Sequence, residues 1–355
     1  MRIVNFGTER NLRVAIVTPK GRGSGSGNWA TADRWAHLLG EAGHEVSVSD
    51  YWSDADAELL IALHARRSHG SIASFAAAHP DRPLVVALTG TDLYHDIHED
   101  AAAQGSLELA WRLVVLQERG PDALPQRHRH KARVVYQSAA PLELRPDPNG
   151  FTACVIGNLR PEKDPFRAAL AARLVPQESG LVVLHAGAAD EALAAEAREH
   201  ERRDPRYRWL GQLAPEAARD LMSRSYVLVQ SSTLEGGANA VGEAMAAGLP
   251  VLASEIPGNV GMLGLGYPGY YPRGDERALA ELLWRAESDA GFYSELQRAV
   301  SSRAYLVTPE RERAAISQII AELEAKSFES AGPRYTRSMN ERTRIRLTKY
   351  STKAG

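Results

Sequence analysis

Two acidic residues that stand eight positions apart flank a run of small residues, and this stretch has the composition of a phosphate-binding site. Glu235 and Glu243 enclose residues 236–239, where a helix is predicted to begin, and Gly248 marks its predicted end. The first N–H groups of a helix have no internal partners, so a strand, a glycine turn and a helix start together hold phosphate. One carboxylate would then meet a sugar hydroxyl and the other a ribose. The alternative is a buried helix that carries two solvated acids.

Length and composition narrow the class of protein. A chain of 355 residues with 44% hydrophobic residues predicts two domains. The net charge of −2 argues against a general nucleic-acid or membrane-surface binder. The single cysteine, Cys154, lies in an apolar run and is expected to be a buried thiol, which suits a reducing compartment. Because neither a signal peptide nor a long apolar run is present, we expect a soluble cytoplasmic protein.

Strands and helices alternate in both halves of the chain, which predicts an α/β fold with parallel sheets. The strands predicted in the first half are residues 12–18, 45–49, 59–64, 84–89, 113–116 and 133–138. A helix is predicted over residues 31–42. Three prolines and a final Asn-Gly within residues 139–150 mark a domain boundary, after which a second strand–helix series begins.

A glycine-rich loop follows the first strand. Its spacing does not match the G-x-G-x-x-G fingerprint, although Asp50 leaves a dinucleotide-binding site open as an alternative, and no P-loop is present. We interpret the loop as a flexible anion clamp in which Arg22 supplies charge and Ser26, Gly27 and Asn28 lie at a helix start. The alternative is a plain flexible turn.

Polar turns follow the third and fourth predicted strands, at the edge where open parallel sheets bind their ligands. His64, Arg66 and Arg67 follow the third strand, and two adjacent arginines can take an anion through paired donors. The alternative is that one of them forms a salt bridge with a helix. The turn after the fourth strand consists of Thr89, Gly90, Thr91 and Asp92.

The sequence predicts neither a metal site nor a cofactor. Asp54 and Asp56 form a D-x-D pair, but the pair precedes a strand instead of following one, so a solvated turn is expected. No group of His or Cys residues has the spacing of metal ligands.

The second half resembles the GT-B glycosyltransferases of family GT4, which use nucleotide sugars. Three motifs carry the resemblance: the E-x7-E pattern in EGGANAVGEAMAAGLPVLAS, the turn GNLRPEK at 157–163, and the loop YRWLGQL. The resemblance implies two Rossmann-like domains that face each other across a cleft. It also implies a donor site built by the second domain.

The resemblance implies a role for each matching residue. Arg160 and Lys163 would bind the donor diphosphate and stabilise the leaving nucleotide, Glu235 would hold the donor sugar, and Glu243 would hold the ribose. The remaining donor-site residues would be Asn158, Leu210, Gly211, Gly236, Gly237, Ala238 and Asn239. Asn158 and Thr89 replace an arginine and a histidine that are usual in the family, and His64 is the candidate that compensates as a catalytic group.

A narrower resemblance accounts for these departures. The segments LIALHARRSHGSI, LVVALTGTDLYHDI and LRPEKDPFRAALAAR, with LEGGANAVGEA and PGNVGMLGLGYPGYYP, are similar to selenosugar synthases of selenoneine biosynthesis. This implies transfer of a sugar from a UDP-sugar, typically UDP-N-acetylglucosamine, to selenophosphate, with no further cofactor. The anion clamps for selenophosphate would be Arg22, Arg66, Arg67, residues 26–28 and the turn 89–92.

Three alternatives remain open: a GT4 hexosyltransferase with a hydroxyl acceptor, a GT-B UDP-sugar 2-epimerase, and a nucleotide-sugar-binding protein without catalysis. We expect an acceptor domain over residues 12–145, a donor domain over 150–308, and a helix over 309–326 that packs back on the first domain. The basic segment 331–355 carries seven Lys or Arg against one acid and is expected to be a disordered tail.

Overall fold

Six parallel strands form the first sheet of the computed structural model, which describes residues 11–19, 21, 27–148 and 150–330, with side chains up to 325. The strands are β1 (Arg13–Val17), β2 (Glu45–Ser49), β3 (Leu59–Leu63), β4 (Leu84–Leu88), β5 (Arg112–Val115) and β6 (Ala132–Val134). The helices between them are α1 (Gly27–Glu41), α2 (His69–Ala78), α3 (Ile97–Glu99), α4 (Ala101–Leu109) and α5 (Gly120–Ala123), with a π-helix at Asp92–Asp96 and a 3₁₀-helix at Gln126–Lys131.

Six further strands form the second sheet, and all of their pairings are parallel. They are β7 (Phe151–Ile156), β8 (Leu181–Ala186), β9 (Tyr207–Trp209), β10 (Val227–Gln230), β11 (Val251–Ser254) and β12 (Tyr270–Tyr271). The helices are α6 (Arg167–Ala172), α7 (Glu191–Arg203), α8 (Pro215–Ser223), α9 (Asn239–Ala247), α10 (Pro257–Leu263), α11 (Glu276–Ser288), α12 (Ala290–Ser301) and α13 (Pro309–Ser330), with 3₁₀-helices at Pro161–Lys163 and Ala304–Val307.

The order of the strands determines where each sheet can bind a ligand. The first sheet runs β2-β1-β3-β4-β5-β6 and the second runs β12-β11-β10-β7-β8-β9. The direction of chain progression therefore reverses between β1 and β3 in one sheet and between β7 and β10 in the other. Loops after such neighbouring strands diverge to opposite faces and leave a crevice at the carboxyl edge of the sheet. Most of the predicted site residues follow these four strands, whereas residues 89–92 follow β4 and residues 210–211 follow β9.

Burial explains why the apolar runs form central strands. All five residues of β3 and all five of β4 are buried, as expected for strands covered on both faces. Cys154 is fully buried in the core of the second half, and burial raises the pKa of its thiol to about 12. The turn at Asp54 is solvated, and Asp54 accepts a hydrogen bond from the backbone N–H of Asp56. The predictions for these residues are confirmed.

Helix α13 returns to the first half and packs there. Ile316, Ile319, Ile320 and Leu323 join the same apolar cluster as Trp35 of α1. The helix continues to Ser330, past the expected end at 326, and residues 331–355 lie outside the described part of the chain. Among the described residues no helix combines the length and the apolar content needed to span a bilayer.

Candidate active site

A cleft of about 860 Å³ lies between the carboxyl edges of the two sheets. Most of the predicted site residues line it. Those from the first half are Gly27, Asn28, His64, Arg67, Thr89, Gly90 and Thr91, and those from the second half are Asn158, Arg160, Lys163, Glu235, Gly236, Gly237, Ala238, Asn239 and Glu243. The fold therefore brings together residues that are up to about two hundred positions apart in sequence.

Two helices begin at this cleft, one from each half. Helix α1 begins at Gly27, four residues before the predicted start at 31, so Gly27 and Asn28 belong to its first turn. Helix α9 begins at Asn239. A Cβ built on Gly27 would lie 3.5 Å from Nδ2 of Asn239, so the two N-termini adjoin. The first N–H groups of a helix have no partner within the helix, and the helix dipole is positive at this end, so the two helix starts together favour an anion.

Three cationic side chains line the same cleft. Lys163 forms an ion pair with Glu235, and the Arg160 guanidinium lies 3.9 Å from the Glu162 carboxylate. Arg67 is exposed, and no described carboxylate forms a salt bridge with it. An ammonium group has three donors, so Lys163 can keep its ion pair while it also binds a phosphate oxygen.

Glu235 is held in one orientation from within the second half. It is only 7% exposed, and its Oε1 accepts hydrogen bonds from Gln230 Nε2 at 2.7 Å and Ser232 Oγ at 2.6 Å, as well as from Lys163. All of these donors converge on one carboxylate oxygen. The other oxygen, Oε2, has no described protein donor and is available to a hydroxyl group in the cleft.

Glu243 lies one turn after Asn239, the first residue of α9, and is half-buried. Burial raises the pKa of its carboxyl, and the positive charges of Arg219 and Arg34 oppose the shift. A half-buried carboxyl is suited to hydrogen bonding with a ribose diol, because little water has to be displaced.

Gly236 and Gly237 contact the first half of the chain directly. A Cβ on Gly236 would lie 2.4 Å from the carbonyl carbon of Thr89, and one on Gly237 would lie 2.5 Å from Cβ of Leu116. Both glycines are therefore required for close contact between the halves. The sequence predicted them as ligand-binding backbone and did not reveal this second role.

The polar turns of the first half are held together by Asp92. It is fully buried, its Oδ1 accepts from the backbone N–H groups of Thr89 at 2.9 Å and Gly90 at 3.0 Å, and its Oδ2 accepts from that of Ala65 at 2.9 Å. Asp92 does not line the cleft. Its position corrects the expectation of direct acceptor binding, because all of these contacts orient the two loops instead.

His64 and Arg66 are held by acids of the π-helix. His64 adopts φ +73°, is 3% exposed, and lies 3.9 Å from both Asp92 and Asp96. Burial lowers its pKa, so the ring is neutral near pH 7, and its Nδ1 accepts from the backbone N–H of Arg67 at 3.4 Å. Arg66 pairs with Asp96 at 3.0 Å and does not line the cleft. Of the two adjacent arginines, it is therefore Arg67 that can contact a ligand.

The remaining predicted residues divide into three groups. Leu210 and Gly211 follow β9 and lie outside the cleft, which Pro215 at the start of α8 lines instead. Asn158 lines the cleft, but its Oδ1 is occupied by the backbone N–H of Ala188 at 3.0 Å. Arg22 and Ser26 lie outside the described residues.

Several cleft residues were missed by sequence reasoning. Thr31 and Asp33 lie on the first turns of α1, and Gln137 follows β6. Gln137 had a usable signal, since it is a polar residue just after a strand. Asp33 had no such signal. The predicted helix start at 31 placed it in a first turn, where an acid usually interacts with the helix dipole and with solvent. Among the described residues no three His, Cys, Asp or Glu side chains group as metal ligands.

The fold and this cleft define a GT-B protein, with two parallel α/β sheets that face each other. The crystal structure of HepE from Anabaena in complex with UDP and glucose is similar, with a TM-score of 0.68 and 17% identity over 88% of this chain and 100% of that chain. Sucrose-phosphate synthase from Thermosynechococcus elongatus gives a TM-score of 0.69 and 15% identity over 89% and 100%. At such identities these likenesses establish the fold alone.

Residues 141–307 match the model of the family Glycosyl transferases group 1. The pneumococcal O-GlcNAc transferase GtfA, solved with UDP and GlcNAc, is also similar, with a TM-score of 0.58 and 16% identity over 75% of this chain and 56% of that chain. No curated protein sequence matches the chain significantly.

Proposed function

We propose that this protein is a glycosyltransferase that transfers the sugar of a UDP-sugar, typically UDP-N-acetylglucosamine, to selenophosphate. The selenium atom attacks the anomeric carbon, the bond from that carbon to the diphosphate oxygen breaks, and UDP leaves. Water then cleaves the phosphorus–selenium bond, so that phosphate and a selenosugar are released. Both UDP-sugar and selenophosphate are substrates, and no further cofactor is required.

The donor part of the proposal is supported by the second half of the cleft. Negative charge grows on the diphosphate as the glycosidic bond breaks, and fixed N–H dipoles and cations stabilise it. Lys163 and Arg160 supply the cations, and the first turn of α9 supplies the dipoles. Glu235 and Glu243 would hold the sugar and the ribose on either side.

The acceptor part is supported by the charge of the first half. Selenophosphate is an anion that must approach a second anion, so the cleft has to offset their repulsion. The observation that carries the proposal is that the N-termini of α1 and α9 adjoin, and that Arg67 from the first half and Lys163 from the second half line the same cleft. An acceptor that is already nucleophilic requires no strong general base, and neutral His64 is buried among acids.

One assay tests the function. The protein is incubated with UDP-N-acetylglucosamine with and without selenophosphate, while UDP release and product mass are followed. We expect UDP release that depends on selenophosphate and a product with the mass of a selenosugar. Release that depends only on an alcohol acceptor would refute the proposal in favour of a hexosyltransferase. An epimerised sugar or UDP-sugar would identify an epimerase, and binding without turnover would identify a binding protein.

A second candidate, the hexosyltransferase, is favoured by one observation. Asp33 lines the cleft on the first half, where a hydroxyl acceptor would lie, and its carboxylate could accept a hydrogen bond from that hydroxyl. Asp33→Asn separates the two candidates, because it removes the charge and keeps the size. Loss of turnover would support the hydroxyl acceptor, whereas an anionic acceptor is expected to bind as well or better.

The acceptor site is tested by a pair of adjacent arginines. Arg67→Ala should raise the KM for selenophosphate about tenfold or more, since a charge-assisted hydrogen bond contributes about 1.5–3 kcal/mol, and should leave UDP affinity nearly unchanged. Arg66→Ala is the matched control: it removes the same charge but breaks only the pair with Asp96. Equal effects of both substitutions on the acceptor KM would show that net charge, and not contact, is responsible.

A further inference from the structure

A buried carboxylate on the C-terminal helix connects that helix to the first half of the chain. Glu312 of α13 is 1% exposed. Its oxygens accept from Arg34 Nε at 2.9 and 3.2 Å, from Trp35 Nε1 at 2.8 Å, and from the backbone N–H and the hydroxyl of Ser138. A buried charge is tolerated only when it is paired and hydrogen-bonded, so these donors hold Glu312 in one position.

Arg34 extends this connection to Gln137, in the segment that leads from the first half to the second. The amide of Gln137 has one orientation that suits the groups around it. In that orientation its oxygen accepts from the Arg34 guanidinium at 3.1 Å, and its nitrogen donates to Asn239 Oδ1 at 2.9 Å and to the Gly237 carbonyl at 3.2 Å. The opposite orientation would place oxygen against oxygen and nitrogen against nitrogen.

This chain of contacts ends at Gly237 and Asn239, which we call the donor wall. Gly237 and Asn239 line the cleft at the start of α9, and Gln137 lines the cleft beside them. A Cβ on Gly242, one turn further along α9, would lie 3.6 Å from the Gln137 carbonyl, so α9 rests on this segment. Burial raises the pKa of Glu243, and the positive charge of the Arg34 guanidinium opposes this rise.

We propose that Glu312, Arg34 and Gln137 form a positioning relay through which α13 holds the donor wall at Gly237 and Asn239. The inference rests on the proposed function, because it takes this wall to be part of a UDP-sugar site. The three residues are positioning residues: they orient the first turn of α9, whose N–H groups would face the diphosphate. A helix that begins about sixty positions after α9 ends is thereby part of the support of the site.

Two substitutions test the relay, and the same helix offers a matched control. Glu312→Gln and Gln137→Met keep the side-chain size and remove the charge or the amide. Glu322→Gln removes a second acid of α13, which pairs with Arg112 and Arg133 away from the cleft. All three are expected to lower the midpoint of thermal unfolding. Only the first two should raise the KM for the UDP-sugar and the Kd for UDP, by about five- to tenfold, which corresponds to about one hydrogen bond.

The split between kinetic constants separates positioning from general destabilisation. We expect the acceptor KM to change less than about twofold, because the relay ends on the donor wall. The double variant Glu312→Gln/Gln137→Met should be little worse than either single variant, since members of one network are not additive. Additive effects, or an equal effect of Glu322→Gln on the donor KM, would overturn the relay. If Glu312→Gln does not fold, Gln137→Met alone still distinguishes these outcomes.

Amide hydrogen exchange makes the test independent of the proposed function. Faster exchange at the start of α9 is expected in Gln137→Met and Glu312→Gln, and unchanged exchange there in Glu322→Gln. This readout needs no ligand, so it supports or overturns the relay even if the wild-type protein fails to bind UDP. Failure of UDP binding with the expected exchange pattern would overturn the proposed function and leave the relay standing.

Discussion

Replacing Gly236 by alanine should uncouple the two halves of the cleft without removing any polar group. A Cβ at this position would lie 2.4 Å from the carbonyl carbon and oxygen of Thr89 and 2.6 Å from the backbone nitrogen of Gly90. All of these are backbone atoms, which cannot move aside as a flexible side chain can. Ordinary contact begins near 3.4 Å, so the halves must separate by about 1 Å.

The size of the effect follows from the cost of overpacking. An extra methyl group in a closely packed contact costs about 1–3 kcal/mol. If the whole cost falls on the closed arrangement, its population relative to an open one drops about 5–150-fold. Turnover requires groups from both halves, so kcat should fall by at least about fivefold. Lys163, Glu235 and Glu243 all belong to the second half, so UDP affinity should fall less than kcat, and by no more than the roughly five- to tenfold expected from loss of the Gln137 contacts.

The assay measures steady-state UDP release and, separately, the Kd of UDP by calorimetry. Gly40→Ala is the control, because nothing lies within 4 Å of its Cβ and it lies on α1. This control should gain about 0.5–1 kcal/mol of stability and keep kcat. An unchanged kcat in Gly236→Ala would refute the role of the contact. A loss of UDP affinity as large as the loss of kcat would show that residue 236 acts on the donor directly.

Three further predictions concern single side chains. Lys163→Met should lower kcat by about 10²–10³-fold, because a charge that stabilises the leaving diphosphate is lost; wild-type UDP affinity together with wild-type turnover would contradict this. Burial raises the pKa of Glu243 above 4.5, so ionising this carboxyl at neutral pH costs the folded state free energy. Glu243→Gln should therefore raise the midpoint of thermal unfolding at pH 7–8 but not at pH 4. The same substitution should lower UDP affinity. A midpoint that shifts equally at both pH values would contradict the assignment. Burial raises the pKa of Cys154 to about 12, so a thiol reagent should label it at pH 8 only as fast as the protein unfolds.

Much of the fold could be predicted from sequence, because strand and helix periods are local properties. Strand β2 has the predicted bounds, and α9 ends at Gly248, which adopts φ +69° as a helix-terminating glycine does. The start of α1 was misplaced by four residues. The helix begins with small and polar residues. Such residues resemble a continuation of the glycine-rich loop before them, so they do not indicate where the helix starts.

The sequence placed residues at the cleft correctly where they follow a strand at the carboxyl edge of its sheet. Lys163, Glu235 and Thr89 line the cleft for that reason. The prediction for Asp92 was wrong in role, because its carboxylate turns inward to bind backbone N–H groups. Leu210 was misplaced because its loop extends past the cleft at the edge of the sheet. The direction of a side chain within a loop depends on contacts with other loops, and these contacts cannot be read from the sequence.

The sequence by itself determined the alternation of strands and helices and the helix start at α9, which is suited to binding phosphate. It also determined the acids Glu235 and Glu243 and the cations Arg160 and Lys163 around that helix start. These depend on residue types at short spacing, and short spacing decides which groups share a turn or a strand end. Only the tertiary structure decided which of Arg66 and Arg67 contacts the cleft, why Gly236 must lack a side chain, and how Glu312 reaches the donor wall. Each of these depends on contacts between segments far apart in the chain, whose distances are set by the packing of the two sheets and α13.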